Sequence, residues 1–164
     1  MVGGSPARRQ AVLAISYSLR WGLDGMEKDP SELPGMRRKP WKLKTPGGKS
    51  EFKAFRDTTL HPPALVVLAG ESELRYHLRC LDDLFEMLKE KGSWVRLGSA
   101  GENDQPVSGS VESWARSPGN PVGGWYGLTT GLRGAFAAFI PPIMKALNLA
   151  EVEGTPEDGR MRAV

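Results

Sequence analysis

The chain of 164 residues has one cysteine, Cys80, and two histidines, His61 and His77. A single cysteine excludes an intrachain disulfide and a cysteine-rich zinc site, and two histidines add few further ligands. We therefore predict no metal and no cofactor. A reducing cytoplasm is the expected location of a chain that cannot pair its own thiol.

Long apolar runs are also missing. No stretch of 18 or more apolar residues occurs, and Arg133 interrupts the best candidate, so we predict no transmembrane helix and no membrane partner. Arg8 and Arg9 precede a short apolar run, as in a signal peptide. Arg20 interrupts the continuation of that run and no clear cleavage site is present, so we favour the absence of a signal peptide.

The net charge of +3 is unevenly distributed along the chain. Residues 1–63 carry twelve Lys and Arg against six Asp and Glu, whereas residues 64–164 carry ten against thirteen. Seven cations fall within residues 37–53, where Glu51 is the one acid. These cations are Arg37, Arg38, Lys39, Lys42, Lys44, Lys49 and Lys53.

This basic segment is the candidate nucleic-acid-binding site. Phosphates attract clustered cations, and Trp41, which lies among them, offers a ring on which a base could stack. The alternative is a solvated basic tail that Trp41 anchors to the core. A binding protein of this kind needs no catalytic residue, and we assign none.

Proline, glycine and charge make residues 29–40 a predicted linker. We therefore divide the chain into an N-terminal extension with a basic linker, residues 1–40, and a single α+β domain, residues 41–164. Within the extension, apolar spacing predicts a short helix over residues 7–23.

The first half of the domain carries strand signals. We predict strands over residues 51–57, 64–70 and 73–78, the last two forming a hairpin. Leucine spacing predicts a helix over residues 80–91, with Gly92 as its C-cap. A short strand follows in SWVRLG, so that residues 51–97 form a small antiparallel sheet.

A helical half comes next. Ser110 is the expected N-cap of a short helix ending near Arg116. From residue 132 to 147 the apolar side chains keep one helical phase, which Pro141 and Pro142 interrupt. Because proline removes a helical hydrogen bond, we expect two helices in near-register or one kinked helix.

The glycine-rich stretch before and within that region permits two interpretations. It contains no phosphate-loop motif, so tight turns around a buried Trp125 and Tyr126 are favoured over an anion cradle. Gly127, Gly131 and Gly134 lie at helical spacing and would give a smooth helix face. Such a face is the basis of an alternative function, a protein–protein adaptor or homodimer.

Near the C-terminus, apolar and charged residues alternate with a period of two. Residues 150–153 and 160–163 flank a turn and predict a hairpin in which Glu151 faces Arg162 and Glu153 faces Arg160. A helix followed by a terminal hairpin is the outline of a winged helix. The predicted fold is therefore α+β, a small antiparallel sheet followed by a winged-helix-like helical half.

His77, Cys80 and Asp83 have the spacing H-x-x-C-x-x-D. On one helix this would group a thiol, an imidazole and a carboxylate, but the run straddles a predicted strand–helix junction. We favour a buried structural Cys80 over a thiol enzyme or a metal site. The carboxylate pairs Asp82–Asp83 and 157–158 are both expected to be solvated.

Several segments resemble a widespread bacterial family of unknown function: PWKLKTPGGKSEF, LRCLDDLFEMLKEKGSW, GSVESWARSPGNPVGGWYGL, PPIMKALNLAEVE and the final RMRA. The resemblance covers residues 40–163 and lies mainly in Trp, Gly and Pro positions. The family has no assigned activity, so the resemblance implies a single bacterial domain and transfers no catalytic residue.

Overall fold

The computed structural model of the chain describes residues 33–129 and 134–164. Its first sheet is an antiparallel meander of β1 (Trp41–Lys44), β2 (Glu51–Asp57), β3 (Ala64–Ala69) and β4 (Ser72–His77), in that order. The predicted hairpin of β3 and β4 is confirmed, whereas β1 was not predicted. The predicted helix over residues 7–23 lies outside the described residues.

Two helices follow their local sequence signals. Helix α1 (Cys80–Lys91) ends at Gly92, whose φ of 62° is left-handed and whose amide donates to the Leu88 carbonyl over 3.1 Å. Helix α2 (Val111–Arg116) begins after Ser110, whose hydroxyl accepts from the Ser113 amide over 3.1 Å. Both predictions are confirmed.

Helix α3 (Phe136–Ala146) begins later than its apolar phase predicted, because Gly134 has a φ of 153° and Ala135 a φ of 59°. It continues as one helix through Pro141 and Pro142. Eight of its eleven residues are buried, and this packing stabilises a helix whose two prolines donate no backbone hydrogen bonds.

The prediction of a glycine-lined helix face is wrong. Gly127 forms an isolated bridge with Tyr76, and Gly134 precedes the first residue of α3. Neither glycine lies on a helix, so the two cannot share a helical face. Gly131 lies outside the described residues.

The second sheet contains β5 (Val95–Arg96), β6 (Ala150–Glu153) and β7 (Arg160–Ala163) in the order β5-β7-β6. The predicted terminal hairpin and its register are confirmed. The assignment of β5 to the first sheet is wrong, because β5 pairs with β7 across the domain. A helix and a terminal hairpin are thus present, but a winged-helix arrangement is not confirmed.

One core joins the two sheets and the helices in a mixed α+β architecture. The inward face of the first sheet packs on α3, where the rings of Phe52 and Phe139 meet edge to face at 5.2 Å. Buried Met161 brings the second sheet into the same core. No helix within the described ranges has the length and apolar character needed to cross a membrane.

The turn before β1 packs against the sheet. The Arg56 amide donates to the Gly35 carbonyl over 2.7 Å, and its guanidinium donates to the Pro34 carbonyl over 3.0 Å. Residues that were expected to be part of a linker therefore contact β2. The domain boundary before Trp41 stays a prediction.

A buried carboxylate links α2 to α3. Glu112 is fully buried and accepts hydrogen bonds from the Ala137 amide over 3.1 Å and from Arg116 over 3.2 Å. Ala135, the N-cap residue of α3, has no capping side chain. Glu112, which lies on α2, instead accepts a hydrogen bond from an amide in the first turn of α3. Arg116 also donates to the carbonyls of Ala100 and Gly101 and so holds the loop beside it.

Candidate anion-binding surface and cleft

Lysines project from the exposed face of the first hairpin. In β1 the apolar residues Trp41 and Leu43 turn inward, so Lys42 and Lys44 turn outward. Lys42 lies directly opposite Lys53 of β2, and both are exposed. Like charges at opposing positions destabilise a strand pair, so the fold holds two cations together at some cost.

A rigid turn connects these strands. The Thr45 amide donates to the Ser50 carbonyl over 2.9 Å, and the Gly48 amide donates to the Thr45 carbonyl over 2.8 Å. Gly47 and Gly48 have φ values of 85° and 77°, a conformation that favours glycine. Exposed Lys49 follows this turn. We call the exposed lysines of this region the basic hairpin: Lys42, Lys44, Lys49 and Lys53.

A cleft of about 430 Å³ lies beside the basic hairpin. It separates the β1–β2 turn from the end of α3 and from the β6–β7 turn. Among the described residues that line it, two are lysines and none is acidic. The lining consists of Lys44, Thr45, Pro46, Gly47, Gly48, Pro142, Lys145, Val152, Gly154 and Thr155.

The other predicted cations lie on the turn before β1. Arg37 forms an ion pair with Asp57 at 2.7 Å, and its guanidinium lies 4.7 Å from the centre of the Phe55 ring. Hydrogen bonds from the Thr59 hydroxyl, and then from Arg37, lower the pKa of Asp57. Arg38 and Lys39 are exposed on the same turn. Arg37 is thus already occupied by a carboxylate, unlike the lysines of the basic hairpin.

Trp41 is 8% exposed and belongs to the core. The Arg56 guanidinium lies 5.2 Å from the centre of its ring, and a side chain at Gly35 would collide with that ring. A base has no open ring face to stack on in this arrangement. The indole therefore anchors β1, and its position separates it from the exposed lysines.

The H-x-x-C-x-x-D run does straddle the strand–helix junction, with His77 ending β4 and Cys80 starting α1. Cys80 has no exposed surface, and burial raises the pKa of its thiol, which suppresses the reactive thiolate. No group of three His, Cys, Asp or Glu side chains in the described part of the chain could hold a metal ion. Cys80 is buried, as predicted.

Asp83 is not solvated as expected. Its carboxylate accepts from Arg79 over 2.7 Å and from the Tyr126 hydroxyl over 2.9 Å. Burial, and then the nearby Asp83, raise the pKa of Tyr126, so this hydroxyl remains a hydrogen-bond donor. These contacts join α1 to the glycine-rich stretch. The second acidic pair, residues 157–158, is exposed as predicted.

Asn120 organises the glycine-rich stretch. Its amide nitrogen donates to the carbonyls of Trp114 and Gly124 over 2.8 and 2.7 Å, and its oxygen accepts from the Val122 and Gly124 amides. The loop thereby closes beside Tyr126, whose ring stacks on Trp114 at 5.1 Å. The prediction of tight turns around buried aromatic residues is confirmed for Tyr126.

Sequence reasoning identified the lysines of the basic hairpin but missed Lys145. The turns at Gly47 and Thr155 form opposing parts of the lining of the cleft, and these residues are far apart in the chain. No local pattern signals such an arrangement. The sequence places Lys145 in a helix and gives no sign that it belongs to a site.

The fold and the candidate site define a class of protein: a small α+β domain with a basic surface. A family of unknown function (DUF6855) matches residues 34–164, and the chain belongs to this family. The resemblance to an uncharacterised family is thereby confirmed over most of the chain. No curated protein and no solved structure gave a significant match.

Proposed function

We propose that this protein binds nucleic acid through the phosphate backbone, using the basic hairpin. The observation that carries the proposal is the pairing of Lys42 with Lys53 on an exposed sheet face. In the described ranges neither lysine forms an ion pair with a carboxylate. Phosphates would relieve the repulsion between them, and the contact would be largely independent of base sequence.

The alternatives have less support. An adaptor or homodimer would be expected to expose an apolar surface, but the large hydrophobic residues exposed within the described ranges are Val107 and Val164. An enzyme based on Cys80 would need an accessible thiol, and this thiol is buried. The lysine surface is therefore the feature that most favours a ligand.

The location proposed for this function is a bacterial cytoplasm. The support is the lone, buried Cys80, which has no partner in its own chain for a disulfide. Fractionation of bacterial cells that express the full chain tests the location. Recovery with the periplasmic or membrane fraction would contradict it.

The test of binding is fluorescence anisotropy with a labelled single strand and a labelled duplex of the same sequence, at several salt concentrations. The variant carries Lys42→Gln and Lys53→Gln together. Each lost phosphate contact should lower the slope of log K against log salt by about 0.7 for a single strand and about 0.9 for a duplex. The double variant should therefore bind more weakly and with a clearly shallower slope.

The matched control carries Lys89→Gln and Lys91→Gln, two exposed lysines of α1 on another part of the surface. It removes the same charge from the protein but none from the basic hairpin. If the control weakens binding as much as the test variant, the effect is one of net charge, and the proposed site is wrong. Absence of binding by the wild-type chain at low salt would also overturn the proposal.

A further inference from the structure

We propose that the cleft between the β1–β2 turn and Lys145 binds the phosphate group of a phosphomonoester. This inference goes beyond nucleic-acid binding by the basic hairpin, because the cleft has its own walls and its own second cation. The ligand class is a dianionic phosphate carried by a small molecule or by the phosphorylated end of a nucleic acid.

Charge is the first argument. Lys44 of β1 and Lys145 of α3 both line the cleft; Glu51 lies opposite Lys44 across the strand pair, but neither lysine forms an ion pair with a carboxylate in residues 33–129 and 134–164. Two cations in the lining match two negative charges. A phosphomonoester carries a charge of about −1.5 to −2 at neutral pH, whereas a carboxylate carries one.

Lys145 is not needed to complete its helix. The carbonyls of Ile143, Met144 and Lys145 already accept hydrogen bonds from the amides of Leu147, Leu149 and Asn148. Three of the four terminal carbonyls of α3 therefore already accept backbone hydrogen bonds. Because Lys145 is exposed and lines the cleft, its ammonium group can contact a ligand there.

The walls are held in place before any ligand arrives. Backbone hydrogen bonds fix the turn from Thr45 to Ser50 on one side. On the other, the Gly159 amide donates to the Thr155 carbonyl over 2.6 Å, and the Asp158 amide donates to the Thr155 hydroxyl over 3.1 Å. A rigid site loses little conformational entropy when it binds.

Gly48, which lines the cleft, borders open space. Around Gly48 no heavy atom lies within 4 Å of the position that a side chain would take. Oxygen atoms of a phosphate can therefore approach the backbone of the turn closely. The volume of about 430 Å³ falls in the range of small-molecule sites and exceeds that needed for a bare phosphate ion.

The test titrates the full chain with AMP, with adenosine and with inorganic phosphate, and follows amide shifts by NMR. AMP should bind saturably and shift the amides of Gly47, Gly48 and Gly154, whereas adenosine should not. Lys145→Gln or Lys44→Gln should raise the Kd for AMP about tenfold or more, since each removes a charged hydrogen bond. Both lysines are exposed, so either variant should fold.

The pH dependence of the affinity for AMP is a second measurement, and it would not change if Lys44 and Lys145 had a purely structural role. The second pKa of a phosphomonoester is about 6, so affinity for AMP should fall as pH decreases through that value. Lys42→Gln with Lys53→Gln should leave AMP binding unchanged. That variant therefore distinguishes failure of the cleft from failure of the basic hairpin.

Oligonucleotides with a 5′-phosphate or a 5′-hydroxyl identify the source of the phosphate. If the phosphorylated strand competes with AMP and the hydroxylated strand does not, a nucleic-acid end occupies the cleft. If neither competes, the ligand is a small molecule. Undetectable binding of AMP and of the phosphorylated strand, or equal affinity in Lys145→Gln and wild type, would overturn the inference.

Discussion

Replacing Glu112 with alanine should destabilise the domain more than a typical point substitution. Glu112 is fully buried, and its carboxylate joins the start of α3 to Arg116. Removing one partner of a buried ion pair costs about 3–5 kcal/mol. We expect the lower part of that range, because Arg116 keeps its carbonyl acceptors in the neighbouring loop.

The substitution Glu112→Gln distinguishes the capping hydrogen bond to α3 from the negative charge of the carboxylate. In Glu112→Gln the side-chain oxygen can still accept from Ala137, but the new amide group faces the Arg116 donor. We expect Glu112→Gln to lower the free energy of unfolding by about 1–2 kcal/mol, roughly the contribution of one hydrogen bond to a charged group. Urea denaturation followed by circular dichroism measures both changes, with Glu71→Ala at an exposed turn as the control. A cost below about 1 kcal/mol for Glu112→Ala would refute the capping role.

The contribution of Glu112 to the free energy of unfolding should change with pH in a definite direction. Burial raises the pKa of Glu112 above its ordinary value of 4.5, so the folded chain retains this proton to a higher pH than the unfolded chain does. Its contribution to the free energy of unfolding therefore decreases as pH rises from 4.5 through the folded pKa, and is constant above it. Glu112→Gln should lack this component. Parallel pH profiles for wild type and variant would contradict the assignment.

Two further predictions concern the hairpin and the thiol. Reversing Glu151 and Arg162 together should be tolerated better than reversing either alone, since their pair at 2.8 Å is worth about 0.2–1 kcal/mol; equal melting temperatures for all three variants would remove the pairing argument. Reversal of Arg162 should cost more than reversal of Glu151, because its guanidinium also lies 4.5 Å from the Trp94 ring centre. Cys80→Ala should lower stability by about 1 kcal/mol, and the native thiol should react slowly with a bulky reagent; rapid labelling would contradict its burial.

Elements with complete local signals could be predicted from the sequence. The leucine spacing and Gly92 predict α1, Ser110 predicts the start of α2, and alternation with a turn predicts the terminal hairpin. In each case the residues that determine the structure lie within a few positions of it. Their energetics are local, so the tertiary fold did not override them.

The failures have tertiary causes. Strand β1 contains an alternating pattern, but its lysines suggested a tail because the pairing with β2 was not recognised. The start of α3 depends on Glu112, which lies 25 residues before the amide of Ala137 that it accepts from. Strand β5 has two residues, too few to indicate which sheet it joins. Lys145 lines a cleft together with turns that are distant in the chain, and no local pattern records such an arrangement.

The β1–β2 hairpin and the terminal hairpin differ at one cross-strand position, and the contrast bears on the proposed function. In the terminal hairpin each arginine faces a glutamate, which is the stabilising arrangement. Arg96 and Arg160 are also opposed across β5 and β7, but each has its own carboxylate, Asp158 or Glu153.

Lys42 and Lys53 face each other without an ion-pair partner among the described residues. In the same strand pair Lys44 lies opposite Glu51, so the like-charge pairing is confined to Lys42 and Lys53. Local rules of stability are broken most often where a protein meets a ligand. An anion bound at the basic hairpin would provide the negative charge that the Lys42–Lys53 pair lacks, and the proposed function rests on this.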